Sequence, residues 1–443
     1  MTPDGRYRAE LREDADPEAE GRYLETCPFA SSTNEDDLAQ MFLDSGSAPR
    51  TAELGTVRST AAGHVTAGDF RREGSSGGMT TWFLRALLDA GEVDQIIHVM
   101  TREELADSPV SATDPDALFA FGASTADSSP QRGAKTRYYP VEMSGALTHI
   151  RTVPGRYAIV GLPCFVKGVR LLQKHDPILR ERVRFCVGIV CGHLKSTRFA
   201  DIMAWEQGVA PGRLRHIEFR KKTDTRASDY AVEATSDTGE VVERRAASLL
   251  GQDWGAGLFK YRACDFCDDV TNETADIAFG DAWLPGYDSD PAGTNVMIVR
   301  SEQAQRVIDL RAADLTLEEI SPEEAARSQA AGLRHRREGL AYRLHREQAA
   351  GRTVPVKRVA PSARIPRFRK SIYDARSRLI DAGDRAYEQS ASSGDFEQFR
   401  AAIMPEIARY KAAYASEPIT RLKVAVRRFT PGLARVAKKA LKR

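Results

Sequence analysis

No run of 18 apolar residues occurs anywhere in the chain, so no segment is expected to cross a membrane as a helix. Neither sign of charge dominates: 64 Lys and Arg stand against 62 Asp and Glu. A surplus of +2 provides no general attraction for nucleic acid. The opening stretch, MTPDGRYRAELREDADPEAEGRY, lacks the basic start and the apolar core of a secretory signal. The expected location is therefore the cytosol, where thiols stay reduced. Cysteine is scarce, with six in 443 residues, and in a reducing compartment these thiols read as ligands, redox groups or core fillers rather than disulfide staples. No internal repeat, no G-x-G-x-x-G and no Walker loop is found.

What is present reads as an α/β (α+β) chain with a mixed, mainly parallel sheet core. Residues 1–20 are charged and nearly free of large apolar side chains, so disorder is expected there. Residues 21–65 hold Cys27-Pro28 and a helix over Glu35 to Leu43 that Asn34 can cap. From 66 to 312 apolar runs alternate with helical patterns. Helices are expected over 79–90 and Phe165–Leu172, the latter followed by Val183–Val190 as a strand and by Ser196 as a helix cap. Other strands are expected at Ile96–Met100, Tyr157–Val160, Ile277–Phe279 and Val296–Val299. Within this region 213–250 alternates with period two between turn residues, the pattern of an inserted antiparallel meander. Residues 313–443 read as a helical, basic C-terminal region, with one helix in 333–352 and others over 368–388 and 395–414.

Four cysteines stand at ends of apolar or glycine-rich stretches: Cys164 in GLPC, Cys191 in VGIVCGH, and Cys264 and Cys267 in CDFCDD. A C-x-x-C pair on one loop lets two thiolates reach a single centre, and four cysteines serve both zinc and iron–sulfur sites. Asp265, Asp268 and Asp269 surround the pair. Acidic neighbours raise a thiol pKa, opposite to what a redox C-x-x-C needs. Zinc knuckles usually bring two close pairs, whereas Cys164 and Cys191 are separate singles, which favours a cluster held between chain turns. Cys186 lies inside an apolar run and reads as a core residue. Cys27, followed by Pro, reads as a lone thiol, with a residual cluster ligand as the alternative.

The stretch EGSSGGMTTWFL sets Ser75, Ser76, Gly77 and Gly78 just before a helix, with Thr80 and Thr81 adding hydroxyls. Glycines let a phosphate approach the free N–H groups of a helix start. An ordinary helix start with a flexible loop reads equally well.

Taken together, SSGGMTTWFLRALLDAGEVD, GRYAIVGLPCFVKGVRLL, VGIVCGHLKS, and CDFCDD followed by ADIAFGDAW resemble the family of coenzyme F-420 hydrogenase/dehydrogenase beta subunits, which includes relatives of 7-hydroxymethyl chlorophyll a reductase. The resemblance runs from about 21 to 312. It implies FAD and a 4Fe-4S cluster, with Cys164, Cys191, Cys264 and Cys267 as cluster ligands. It places Ser76, Gly77, Gly78 and Thr80 in the flavin pocket. Asp281 and Trp283 are given a site-shaping role, and His193 and Lys195 lie where they could face the flavin or its substrate, a supporting hydrogen bond or a solvated turn being the other reading of His193. The second, cysteine-rich N-terminal cluster of many relatives is reduced here to Cys27.

The resemblance implies an iron–sulfur flavoprotein oxidoreductase. Hydride would be exchanged between FAD and a deazaflavin (coenzyme F-420) or similar donor. Single electrons would pass through the cluster to a redox partner protein or second substrate. No residue pair identifies itself as a general acid and base. The rival readings are a non-catalytic protein with a structural four-cysteine zinc site and an electron-relay subunit without its own substrate. In 419–443, nine Lys and Arg accompany an apolar helical face of Leu422, Val426, Phe429, Leu433, Val436 and Ala440, interrupted at Pro431, which reads as peripheral contact with the inner membrane face, docking on an acidic partner, or a solvated helix packed on its own domain.

Overall fold

The computed structural model describes residues 1–10, 13–14, 16, 18–43, 48–110, 112–129 and 133–417. In chain order its main strands are β1 (Ser59–Val65), β2 (Gln95–Thr101), β3 (Phe119–Ser124), β4 (Tyr157–Gly161), β5 (Val183–Ile189), β6 (Leu214–Lys221), β7 (Ala231–Ser236), β8 (Val241–Arg245), β9 (Ile277–Asp281), β10 (Asn295–Val299) and β11 (Leu315–Glu319). Eight form one sheet in the order β11-β1-β10-β9-β5-β4-β2-β3. Its four inner strands β9, β5, β4 and β2 run parallel. The remaining strands pair antiparallel toward the edges. All five residues of β4 and all five of β10 are buried, as an apolar strand covered on both faces must be.

The helices that matter for the site are α1 (Glu35–Phe42), α2 (Met79–Asp89), α3 (Pro163–His175), α4 (Thr197–Trp205), α5 (Ala330–Arg336), α6 (Glu338–Ala349), α7 (Arg367–Ser390) and α8 (Phe396–Ala415). On one face of the large sheet α2 buries Trp82 and Phe83 against Phe185 and Phe279. On the other, Val166 and Val169 of α3 pack on Ile97 and Ile159. The small sheet β8-β7-β6 is the antiparallel meander read from the period-two pattern. It buries Ile217, Phe219 and Val232 against α4, α7 and α8.

Local chemistry sets several boundaries. Asn34 accepts from the N–H groups of Asp36 and Asp37, and Asp37 returns a bond to the Asn34 N–H, a full capping box that opens α1. Helix α3 begins two residues ahead of the expected Phe165 because Pro163 fits its first turn. Cys164 therefore stands on a helix rather than at a tight turn. Ser196 precedes α4, but its hydroxyl makes no cap bond.

Other differences come from pairing that only the fold supplies. The single helix expected in 333–352 is broken at Arg337 into α5 and α6. Strand β1, in the region read as a truncated N-terminus, lies inside the large sheet, and β11 extends that sheet past residue 312. Residues 1–10, expected to be disordered, are anchored to the core: Arg6 is buried and pairs with Asp384 at 2.8 Å, and the Tyr7 N–H reaches the Tyr261 hydroxyl. The basic face of 419–443 lies outside the described residues. Among those described, no helix is long and apolar enough to cross a membrane.

Candidate functional site

Neighbouring parallel strands deliver the cysteines to one end of the large sheet. Beyond β4 the chain enters α3 and places Cys164 in its first turn. Beyond β5 it reaches Cys191, whose N–H donates to the Val270 carbonyl at 3.0 Å. Cys264 and Cys267 lie on and just after a short 3-10 turn, Arg262–Phe266. The loop that follows is stapled over both strand ends by Asn272, a non-glycine residue at φ +63°. Its side-chain amide donates to Gly161 O at 2.8 Å and Ile189 O at 3.4 Å. The Asp269 carboxylate accepts the N–H groups of Asn272 and Glu273 at 2.8 Å each. Nothing in the sequence pattern singled out Asn272; the signal is its backbone strain, visible only in the fold.

All four sulfurs belong to one electrostatic neighbourhood. Burial raises the Cys164 thiol well above its usual range, and negative charge on Cys191, Cys264 or Cys267 raises it further. Burial likewise pushes up Cys191 and Cys264. The Leu194 N–H donates to the Cys264 sulfur at 3.4 Å. Among the described residues, however, no three His, Cys, Asp or Glu side chains gather closely enough to hold one metal ion.

Lys260, Arg336 and Arg343 are buried nearby, and Lys195 is buried as well, its ammonium pushed well down by burial and by the charges of Lys260 and Arg376. Arg336 donates to Cys191 O at 3.2 Å and Asp269 O at 3.0 Å. Asp265 faces inward, but it is bound by Lys260 at 2.6 Å and Arg343 at 3.4 Å. Burial would raise its carboxyl, and the two cations outweigh that and hold it at about 2. Asp268 is drawn toward Lys357 and Arg358. Asp265 and Asp268 of CDFCDD are thus matched by cations, while burial beside Glu273 and Glu35 raises the Asp269 carboxyl to about 7.

His193 is buried with its ring 4.7 Å from that of Trp254, and its Nε2 has no hydrogen-bond partner. Lys195 donates to Leu258 O at 2.7 Å and lies over the rings of Phe199 and Trp254. Cys186 is fully buried in β5, as expected of a core thiol. Cys27 is half-buried and makes its contact with Tyr23.

The glycine loop is held apart from the cysteines by β9 and β10. Ser76 donates to Thr294 O at 3.1 Å, Met79 N–H donates to Asn295 Oδ1 at 3.1 Å, and Thr80 is half-buried on the first turn of α2. The glycines are demanded by the protein's own backbone. A Cβ on Gly77 would lie 2.8 Å from Gly63 O, and one on Gly78, at φ +81°, would lie 2.5 Å from the Phe70 carbonyl. A cation that sequence reading missed borders this loop: Lys222, just past β6, donates to Ser76 O at 2.8 Å and to Arg71 O. Burial, with help from Lys135, Arg71 and Arg220, lowers Lys222 to about 8. Asp281 takes both arms of Arg220, at 2.7 and 3.1 Å, and so fastens the meander to β9; Trp283 lies against the same guanidinium.

Two family profiles match the chain. That of the N-terminal part of the coenzyme F420 hydrogenase/dehydrogenase beta subunit matches residues 60–148, and that of its C-terminal part matches residues 155–324. A coenzyme F420-dependent sulfite reductase of Methanocaldococcus jannaschii is 23% identical over 250 residues, covering 53% of this chain and 34% of that protein. A subunit of the F(420)H(2) dehydrogenase of Methanosarcina mazei is 22% identical over 234 residues, covering 53% of this chain and 58% of that protein. The match thus spans less than two thirds of either relative. A chain of the F420-reducing NiFe hydrogenase complex from Methanosarcina barkeri shares the fold, with a TM-score of 0.50 at 15% identity over 69% of this chain and 98% of that one.

Proposed function

The chain belongs to the family of coenzyme F420 hydrogenase/dehydrogenase beta subunits, and from that premise we propose that it is an iron–sulfur flavoprotein oxidoreductase. Cys164, Cys191, Cys264 and Cys267 would hold a 4Fe-4S cluster. FAD would lie with its phosphates toward Ser76, Thr80 and Lys222. When bound, the flavin supplies the exchange between two-electron hydride donors, such as a reduced deazaflavin, and single-electron carriers. The observation that supports the reading is that Cys164 and Cys267 line one small cavity, and that Cys191 and Cys264 are near enough to act on the charge of Cys164.

The protein's own residues perform three tasks in this reading. Asn272 and Asp269 fix the C-x-x-C loop over the strand ends, which sets the spacing of the sulfurs. Burial keeps uncomplexed thiols protonated, so ligation by iron, not local pKa depression, creates the thiolates. Arg336, which no carboxylate pairs with among the described residues, would offset the charge of the ligated group. Electrons would leave to a redox partner protein, in keeping with the Methanosarcina mazei relative, which is itself one subunit of a dehydrogenase.

Anaerobic isolation of the full chain tests this. A brown protein with about four iron and four sulfide per chain and releasable FAD supports it. Bleaching of the flavin by reduced deazaflavin separates an enzyme from a pure relay. A colourless protein with one zinc and no flavin overturns it.

A further inference from the structure

The cation set around the sulfurs is drawn largely from beyond residue 324, where the family match ends. Arg336 closes α5, Arg343 lies on α6, and Arg376, whose Nε finds no partner, lies on α7. These three are not equivalent. Arg343 is matched by Asp265. Arg336 is 2% exposed, yet no carboxylate pairs with it among the described residues. It bonds carbonyls of the ligand-bearing loops, those of Cys191, Gly192 and Asp269, and the sulfur of Cys267. Burial disfavours its charge, and the sulfurs of Cys267, Cys191 and Cys264 outweigh that once they are ionised. A buried guanidinium without a counter-ion is costly, and it is retained where something else supplies negative charge.

Resting on the cluster reading above, we propose that Arg336 is the positioning residue that sets the reduction potential of the four-cysteine centre, a control exerted by the C-terminal extension rather than by the family core. One-electron reduction adds one negative charge to the centre. A fixed cation beside three of its four sulfurs stabilises the reduced state more than the oxidised one, and burial keeps water from screening it. The fork also ties the Cys191 loop to the Asp269 loop, so the charge stays in register with the sulfurs.

The test compares anaerobically isolated wild type, Arg336→Gln and Arg336→Lys as full chains. Iron and sulfide are counted, and the midpoint is read by mediated titration followed by electron paramagnetic resonance. Arg336→Gln is expected to keep its iron and to become at least tenfold harder to reduce, 59 mV for one electron. Arg336→Lys keeps the charge without the fork and is expected to move by less than half as much. An unchanged midpoint in Arg336→Gln overturns the proposal, as do equal shifts in both variants, which would mark a purely structural fork. If Arg336→Gln assembles no centre, Arg336→Lys decides. A complete centre at the wild-type midpoint supports the assignment, because charge is then what assembly requires, and an empty one overturns it. Wild-type protein without iron defeats the functional reading and this inference together, whereas iron with an unmoved midpoint defeats the inference alone.

Discussion

Glu35 of α1 and Lys167 of α3 form an ion pair at 2.9 Å with about 95% of each side chain hidden from solvent, one helical turn from Cys164. Arg358 approaches Glu35 from the C-terminal region at 3.5 Å and binds Glu273 at 2.7 Å. Three segments remote in sequence are thereby locked beside the cysteines.

Breaking that lock from one side leaves a buried charge unmatched. Lys167→Met is expected to cost about 3–5 kcal/mol, while the double variant with Glu35→Leu recovers most of it. Urea unfolding midpoints of the four proteins of the cycle check this. Equal losses in single and double variants would show that the pair contributes by packing alone.

Replacing Cys164, Cys191, Cys264 or Cys267 singly by Ser is expected to reduce iron and sulfide to a small fraction of wild type. Cys186→Ala and Cys27→Ser should retain them, since one packs in the core of β5 and the other makes its contact with Tyr23. Metal analysis of anaerobic preparations distinguishes the two sets.

Gly78→Ala forces a side chain into a left-handed turn and toward the Phe70 carbonyl. A loss of about 1–3 kcal/mol is expected, with flavin content falling only in step with the folded fraction. Flavin loss from a protein of unaltered stability would instead mean that the glycine makes room for the cofactor.

Lys222 provides a pH test of the flavin site. Its pKa is depressed to about 8, chiefly by burial, so the ammonium is complete below pH 8 and is lost above it. An anionic phosphate bound beside it raises that pKa. Affinity is therefore constant below about pH 8 and declines above it, by up to tenfold per pH unit, until the bound-state pKa is passed. Lys222→Met should flatten the profile and weaken binding throughout. Flavin affinity measured by fluorescence between pH 6 and 10 follows both, and a profile that is flat in wild type contradicts the assignment.

Much of the site was legible in the linear order of residues because its signals are local. A thiol pair three residues apart, single cysteines after apolar strands, and glycines before a helix each depend on a few neighbours, and Asn34 announces its helix by capping chemistry alone. The meander was legible for the same reason, through its alternation with period two.

Whatever depends on charge compensation across distance was not legible. Arg336, Lys222, Asn272 and the Glu35–Lys167 pair are ordinary residues in sequence, and each acquires a role from partners between 67 and 151 residues away. Sequence by itself determined which thiols follow the ends of apolar strands and where those strands run. Only the tertiary structure decided that CDFCDD, acidic on paper, faces a cationic interior, because burial strengthens every charge and the fold selects which ones meet.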